Sequence, residues 1–292
     1  MPGFDTPEPI SVTVELGVGD IRIVASDRTD TVVEVRPSDS ASKADVTAAE
    51  RTRVEYAGGR LLVKAPRGGR HYSLRGGGES IDVHIALPAG SVIRAEAAVA
   101  SLRCTGRLGE FRWQCGVGDI HLEQAGPVLL RTGAGDITVD RVIGDAEVST
   151  GSGAVQIGGI DGAAVIKDSN GDTWVGEVAG DLRVHAANGR INVDRANAAV
   201  AARSANGDVR VGEVSRGAIV AETGFGKLEV GVREGVAAWL DLNTKFGRIH
   251  NSLDAVERPG PGEDTVEVRV RSGYGDITVR RSPAGVPATS RA

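Results

Sequence analysis

GVGDIHL (116–122), GAGDITV (133–139), GSGAVQI (151–157), NGDTWV (170–175), NGRINV (188–193) and NGDVRV (206–211) are six copies of one phrase. Their turn glycines fall at Gly118, Gly135, Gly153, Gly171, Gly189 and Gly207, in steps of 17, 18, 18, 18 and 18 residues. A fixed short period is the mark of units that stack on one another. Each copy opens on Gly-x-Gly or Asn-Gly, where glycine reaches positive φ without a steric penalty. An alternating run follows: Ile120/Leu122, Ile137/Val139, Val155/Ile157, Ile191/Val193 and Val209/Val211 hold the same two columns. Period-two alternation of branched aliphatics predicts a half-buried strand. A second pair lies about ten residues on, at Ala146/Val148, Ala164/Ile166, Leu182/Val184, Val200/Ala202 and Ala218/Val220.

Two short strands per 18-residue unit predict one coil of a parallel β-solenoid, each strand pairing with its equivalent ~4.8 Å away. The expected architecture is therefore all-β: a single-domain parallel β-solenoid, β-helix-like, with about 18 residues per coil. The turn columns agree. Asn170, Asn188 and Asn206 share one column, as an asparagine ladder would. The next column reads Asp119, Asp136, Ala154, Asp172, Arg190, Asp208 and Lys227. Its sign alternates from 172 to 227, which keeps like charges off adjacent strands. These aspartates are read as turn residues rather than calcium ligands, because Arg190 and Lys227 would spoil a metal column.

Outside the repeat, the prediction takes residues 1–9 as a disordered lead-in and 10–280 as the solenoid domain. Gly17–Ile21 is an early copy of the phrase. Residues 38–56 break the strand pattern and predict a short capping helix through Val46–Arg53, with Ser42 or Asp45 as N-cap. A helix laid over the first coil would cover its open edge. PRGGRHYSLRGGG (66–78) is a Gly/Arg loop, 254–264 an inserted loop and 281–292 a disordered tail. Copies at 223–230, 244–251 and 272–279 extend the stack with looser spacing, and are expected to follow in chain order.

Composition fits a thin aliphatic interior: aromatics are 3%, while glycine reaches 41 of 292 residues. A net charge of −5 argues against nucleic-acid partners. No run approaches the ~18 apolar residues of a membrane span, so no membrane insertion is expected. The N-terminus MPGFDTPEPI lacks the pattern of a signal peptide, and the expected location is cytoplasmic. Cys104 and Cys115 are expected to be buried free thiols.

Chemistry is harder to find. The GVGDIH-type strings fail as dinucleotide fingerprints because no helix follows them. Ser152 has no nucleophile elbow, and no Cys/His pair has zinc spacing. Catalytic residues, cofactors and metals are all predicted absent, and the protein is not expected to be an enzyme. The outward column of the first strand reads His121, Thr138, Gln156, Trp174, Asn192, Arg210, Glu229, His250 and Thr278. Partner-binding candidates are Trp174, Arg210 and His121 in that column, with Arg67, Arg70 and Arg75 in the basic loop.

Through Gly116–Ile120, Gly133–Val139, Asn170–Asp172, Asn206–Val211 and Gly273–Val279, the chain resembles the bacterial adhesin-like family of β-strand-repeat proteins. In that domain-of-unknown-function family, GSGD and NGD phrases punctuate a β-solenoid. The similarity covers roughly residues 10–280. It implies the solenoid fold and an adhesin-like architecture, and it carries no catalytic residues. The expected function is non-catalytic binding or scaffolding, with flat repeat faces presented to a protein or polymer. The alternatives are a surface adhesin exported by an unrecognised route and a polysaccharide-active β-helix enzyme using, for instance, Asp119 and Asp136.

Overall fold

The computed structural model describes residues 2–66, 79–254 and 264–282. The candidates Arg67, Arg70 and Arg75, residues 255–263 of the inserted loop and residues 283–292 of the tail lie outside them. The chain is all-β with one helix among the described residues, and it divides into two compact units, Met1–Gly153 and Ala154–Ala292. Each unit is a parallel solenoid.

In the first unit the long strand Val92–Arg107 starts two ladders. Its N-terminal half pairs in parallel with Phe111–Val117 and its C-terminal half with Ile120–Ala125. One coil on, Val128 lies beside Phe111 and Ile137 beside Ile120. The predicted inward columns are buried, with Ile120, Leu122, Ile137 and Val139 all at most 1% exposed. Phe111 and Trp113 bring aromatic bulk into this core, and the Trp113 indole N–H has no hydrogen-bond partner. Cys104 and Cys115 are free and buried, and desolvation pushes the Cys104 thiol far up.

The chain does not stack in sequence order at this end. Strand Ser11–Ser26 pairs in parallel with Val92–Arg107 on one side. On its other side lie Arg60–Lys64 and Ile81–Pro88, also parallel. The edge then closes with antiparallel strands: Arg53–Ala57 on Arg60–Lys64, Asp30–Pro37 on Ile81–Pro88, and Gly3–Asp5 on Asp30–Pro37. Residues 2–9 are thus partly strand rather than a disordered lead-in. The three-residue pairing, reinforced by the buried Thr6–Thr31 hydroxyl contact of 2.8 Å, holds them down.

The helix spans Lys43–Arg51, with Ser42 as N-cap accepting from the Asp45 amide. Asp45, the other candidate cap, is buried and accepts instead from the amides of Asp39 and Ser80. The helix stops at Thr52, and Arg53 already begins a strand.

In the second unit, Val155–Ile160, Thr173–Val178, Ile191–Ala196, Val209–Val214 and Leu228–Val232 form one parallel ladder. Ala164–Asn170, Leu182–Asn188, Val200–Asn206 and Gly217–Phe225 form the other. Here Val200 pairs with Ile219 and Ala202 with Ala221, so the inward pair is Ile219/Ala221 and not the expected Ala218/Val220. The step to this coil is one residue longer, and a one-residue slip would have turned Ile219 to solvent.

The last coils also depart from chain order. Thr265–Tyr274 pairs with Gly217–Phe225 on one side and with Ala237–Phe246 on the other. Likewise Ile277–Arg281 lies between Leu228–Val232 and Ile249–Asn251. The final segment of chain is intercalated, and the coil before it stands at the end of the ladder.

Candidate functional site

The turn aspartates have a structural task. Asp119 Oδ1 accepts the Asp136 amide at 2.9 Å, Asp172 the Arg190 amide at 2.8 Å, Asp208 the Lys227 amide at 2.7 Å, and Asp276 the Arg248 amide at 2.8 Å. Each carboxylate satisfies a backbone donor one coil away. The asparagine ladder is present too: Asn188 Nδ2 donates to Asn170 Oδ1 and Asn206 Nδ2 to Asn188 Oδ1, both at 2.9 Å. That column then turns aromatic. Phe225, Tyr274 and Phe246 stack with centroids 4.9 and 4.7 Å apart and planes within 9° of parallel.

A groove of about 760 Å³ lies in the first unit. It runs across the outward face of the ladder that contains Ile120. Strand pairing sets its floor as a row: His84 beside Arg22, Arg22 beside Arg103, Arg103 beside His121, and His121 beside Thr138. Glu34, opposite His84 on the antiparallel strand, closes one end and holds Arg36. A parallel row at the turn edge carries Asp20, Asp82, Ser101, Asp119 and Asp136. Arg22 and Arg103 thus stand on adjacent strands, and neither has an ion pair among the described residues. Like charges directly opposite one another repel. The row therefore sets two guanidiniums and two imidazoles side by side on one face. No group of three or more His, Cys, Asp or Glu suited to a metal occurs among the described residues.

The expected site residues meet different fates. His121 is part of this row. Trp174 and Arg210 belong to the second unit, on one face and two strands apart, with Asn192 between them. Trp174 is half-buried, its ring end close against Gly176, so it is a poorer anchor than an exposed indole. Arg210 is exposed and lies 3.8 Å from Glu229. The sequence reading missed His84, Arg22 and Arg103, because strand Ser11–Ser26 lodges beside Val92–Arg107 only in three dimensions. It also missed the aromatic stack, whose signal was the middle residue of GFG, KFG and GYG.

Coils of two parallel strands with asparagine and aromatic ladders in their turns define a β-solenoid repeat protein. A family model matches residues 9–284, and the chain belongs to the Toastrack DUF4097 family. Among solved structures it is similar to a candidate adhesin of Bacteroides fragilis, at 14% identity over 95% of both chains with a TM-score of 0.38. It is similar to a candidate cell adhesion protein of Clostridium sporogenes, at 12% identity over 96% of this chain and 98% of that one, with a TM-score of 0.22. A candidate lipid-binding protein of Parabacteroides distasonis shares 10% identity over 95% of both chains, with a TM-score of 0.39. No curated protein matches the chain. None of the described helices is long and apolar enough to cross a membrane.

Proposed function

We propose that this protein is a non-catalytic, adhesin-like binding protein, and that the groove of the first unit holds an extended anionic polymer. The observation that carries this reading is the pair Arg22 and Arg103, side by side without an ion partner among the described residues and flanked by His84 and His121. A carboxylate or sulfate bridging the two guanidiniums would relieve their repulsion through charge-assisted hydrogen bonds. The neighbouring aspartates repel a continuous run of anions but can accept from hydroxyls, so the polymer proposed is a polysaccharide with spaced acidic groups, those groups seated over the arginines. Asp119 is already engaged with the Asp136 amide, which speaks against the two as an acid/base pair. We propose no catalytic residue, cofactor or nucleic-acid partner, and a cytoplasmic location.

Binding of the full chain to acidic and neutral polysaccharides by calorimetry tests the reading. We expect binding to the acidic panel that falls at least about tenfold on Arg22→Ala with Arg103→Ala, two charge-assisted contacts being lost. Equal binding of neutral polymers, or indifference to both substitutions, would overturn it. So would release of reducing ends from any polymer. Protease treatment of intact cells separates the cytoplasmic assignment from a surface role.

A further inference from the structure

The terminal coil of the second unit, Ala237–Phe246 with Ile249–Asn251, is paired on one side only among the described residues. It leaves a ten-residue strand edge with unpaired backbone donors and acceptors, the kind of edge on which another strand builds. The edge is apolar as well: Trp239, Phe246 and Ile249 are 58%, 62% and 46% exposed. The aromatic stack begun by Phe225 and Tyr274 ends at Phe246.

We propose that the occupant of this edge is the same edge of a second copy of the chain, paired antiparallel about a two-fold axis at Asn243. Like-charge repulsion favours that register over two-folds at its charged neighbours on the outward face. Outward residues of the strand are Trp239, Asp241, Asn243 and Lys245. With Asn243 opposite itself, Asp241 faces Lys245 of the second copy, and symmetry repeats the pair. A two-fold at Asp241 would set carboxylate on carboxylate, and one at Lys245 ammonium on ammonium. Lys245 has no ion partner among the described residues, while Asp241 is 3.6 Å from Arg271 and so brings a bridged charge to the contact. An isologous interface of this kind closes as a dimer and uses up this edge.

Sedimentation equilibrium of the full chain over a hundredfold concentration range reads the assembly. The native chain is expected to reach twice its own mass. Asp241→Lys and Lys245→Asp should each weaken dimerisation at least about tenfold, since two symmetric pairs turn repulsive. The double reversal should restore it. Lys245→Asp changes an exposed side chain with no ion partner, so it suffices alone if Asp241→Lys, which also gives up Arg271, does not fold. A monomer at every concentration, a dimer indifferent to the reversals, or singles that the double does not rescue would each overturn the proposal.

Discussion

Asp168 should be a liability that a single substitution removes. It is 4% exposed, and no well-formed hydrogen bond reaches either carboxylate oxygen, the Asn170 backbone and the Thr173 hydroxyl offering only weak stabilisation. Beyond Ala186, its column in the second unit carries hydroxyls that donate to turn carbonyls: Ser204 to Gly189, Thr223 to Gly207, Ser272 to Gly226 and Thr244 to Gly275, at 2.9–3.3 Å. An ionised carboxylate cannot donate. Desolvation raises its pKa from 3.8 to about 6, with the charge of Asp172 adding to the rise and the Asn170 backbone and Thr173 hydroxyl opposing it. The folded state therefore holds this proton more tightly than the unfolded chain does. Its contribution is fully present below pH 3.8 and is lost as pH rises through about 6. A shift of roughly two units at ~1.36 kcal/mol each sets the loss at about 3 kcal/mol. Asp168→Thr keeps the volume and supplies the donor. Urea unfolding at acid and alkaline pH, followed by tryptophan fluorescence, should give near-equal stabilities at about pH 4 and a variant more stable by up to about 3 kcal/mol at about pH 8. A gap that does not widen with pH, or a variant weaker than native at alkaline pH, would refute the reasoning.

The remaining predictions rest on packing and backbone. Ile191→Asp buries an unpaired charge and should unfold neighbouring coils, whereas Asn192→Asp on the outer face should cost under about 1 kcal/mol; circular dichroism melts of both separate the faces. Gly207 has φ +152°, and a Cβ there would lie 1.9 Å from the Gly189 carbonyl oxygen. Gly207→Ala should therefore cost about 1–3 kcal/mol from backbone strain alone, read by thermal unfolding. Ser42→Ala should cost about 1 kcal/mol by loss of the helix N-cap, visible as faster amide exchange over Lys43–Arg51.

Coil geometry was legible because it is local. Glycine turns and two-residue alternation recur in every unit, and their burial follows directly. Stacking order was not legible from spacing, since nothing in a step of 19 or 28 residues says which neighbour a coil will take. A subtler signal was there. In chain order Lys227 would meet Arg248, two cations at strand spacing. In the observed order Asp276 stands between them, as the backbone bonds from Leu228 to Asp276 and from Ile277 to Arg248 record. The alternation from Asp172 to Lys227 thus extends to Asp276 and Arg248 only if the last segment is inserted. The groove was legible only through His121, because Arg22, His84 and Arg103 come from strands whose adjacency depends on the same out-of-order stacking at the other end. Asp168 carries no signal in the sequence; its cost shows only once the hydroxyl column around it is in place.

The inserted coil also sets an order of assembly. Growth from Ala154 toward the C-terminus can add coils one by one as far as Val232, but the strands that flank the segment 237–251 in the fold have not yet emerged. Its seat is the far side of 265–281, which leaves the ribosome later. The last two coils must therefore settle together, and a chain cut after residue 264 would lose the docking of both, although it lacks the residues of only one.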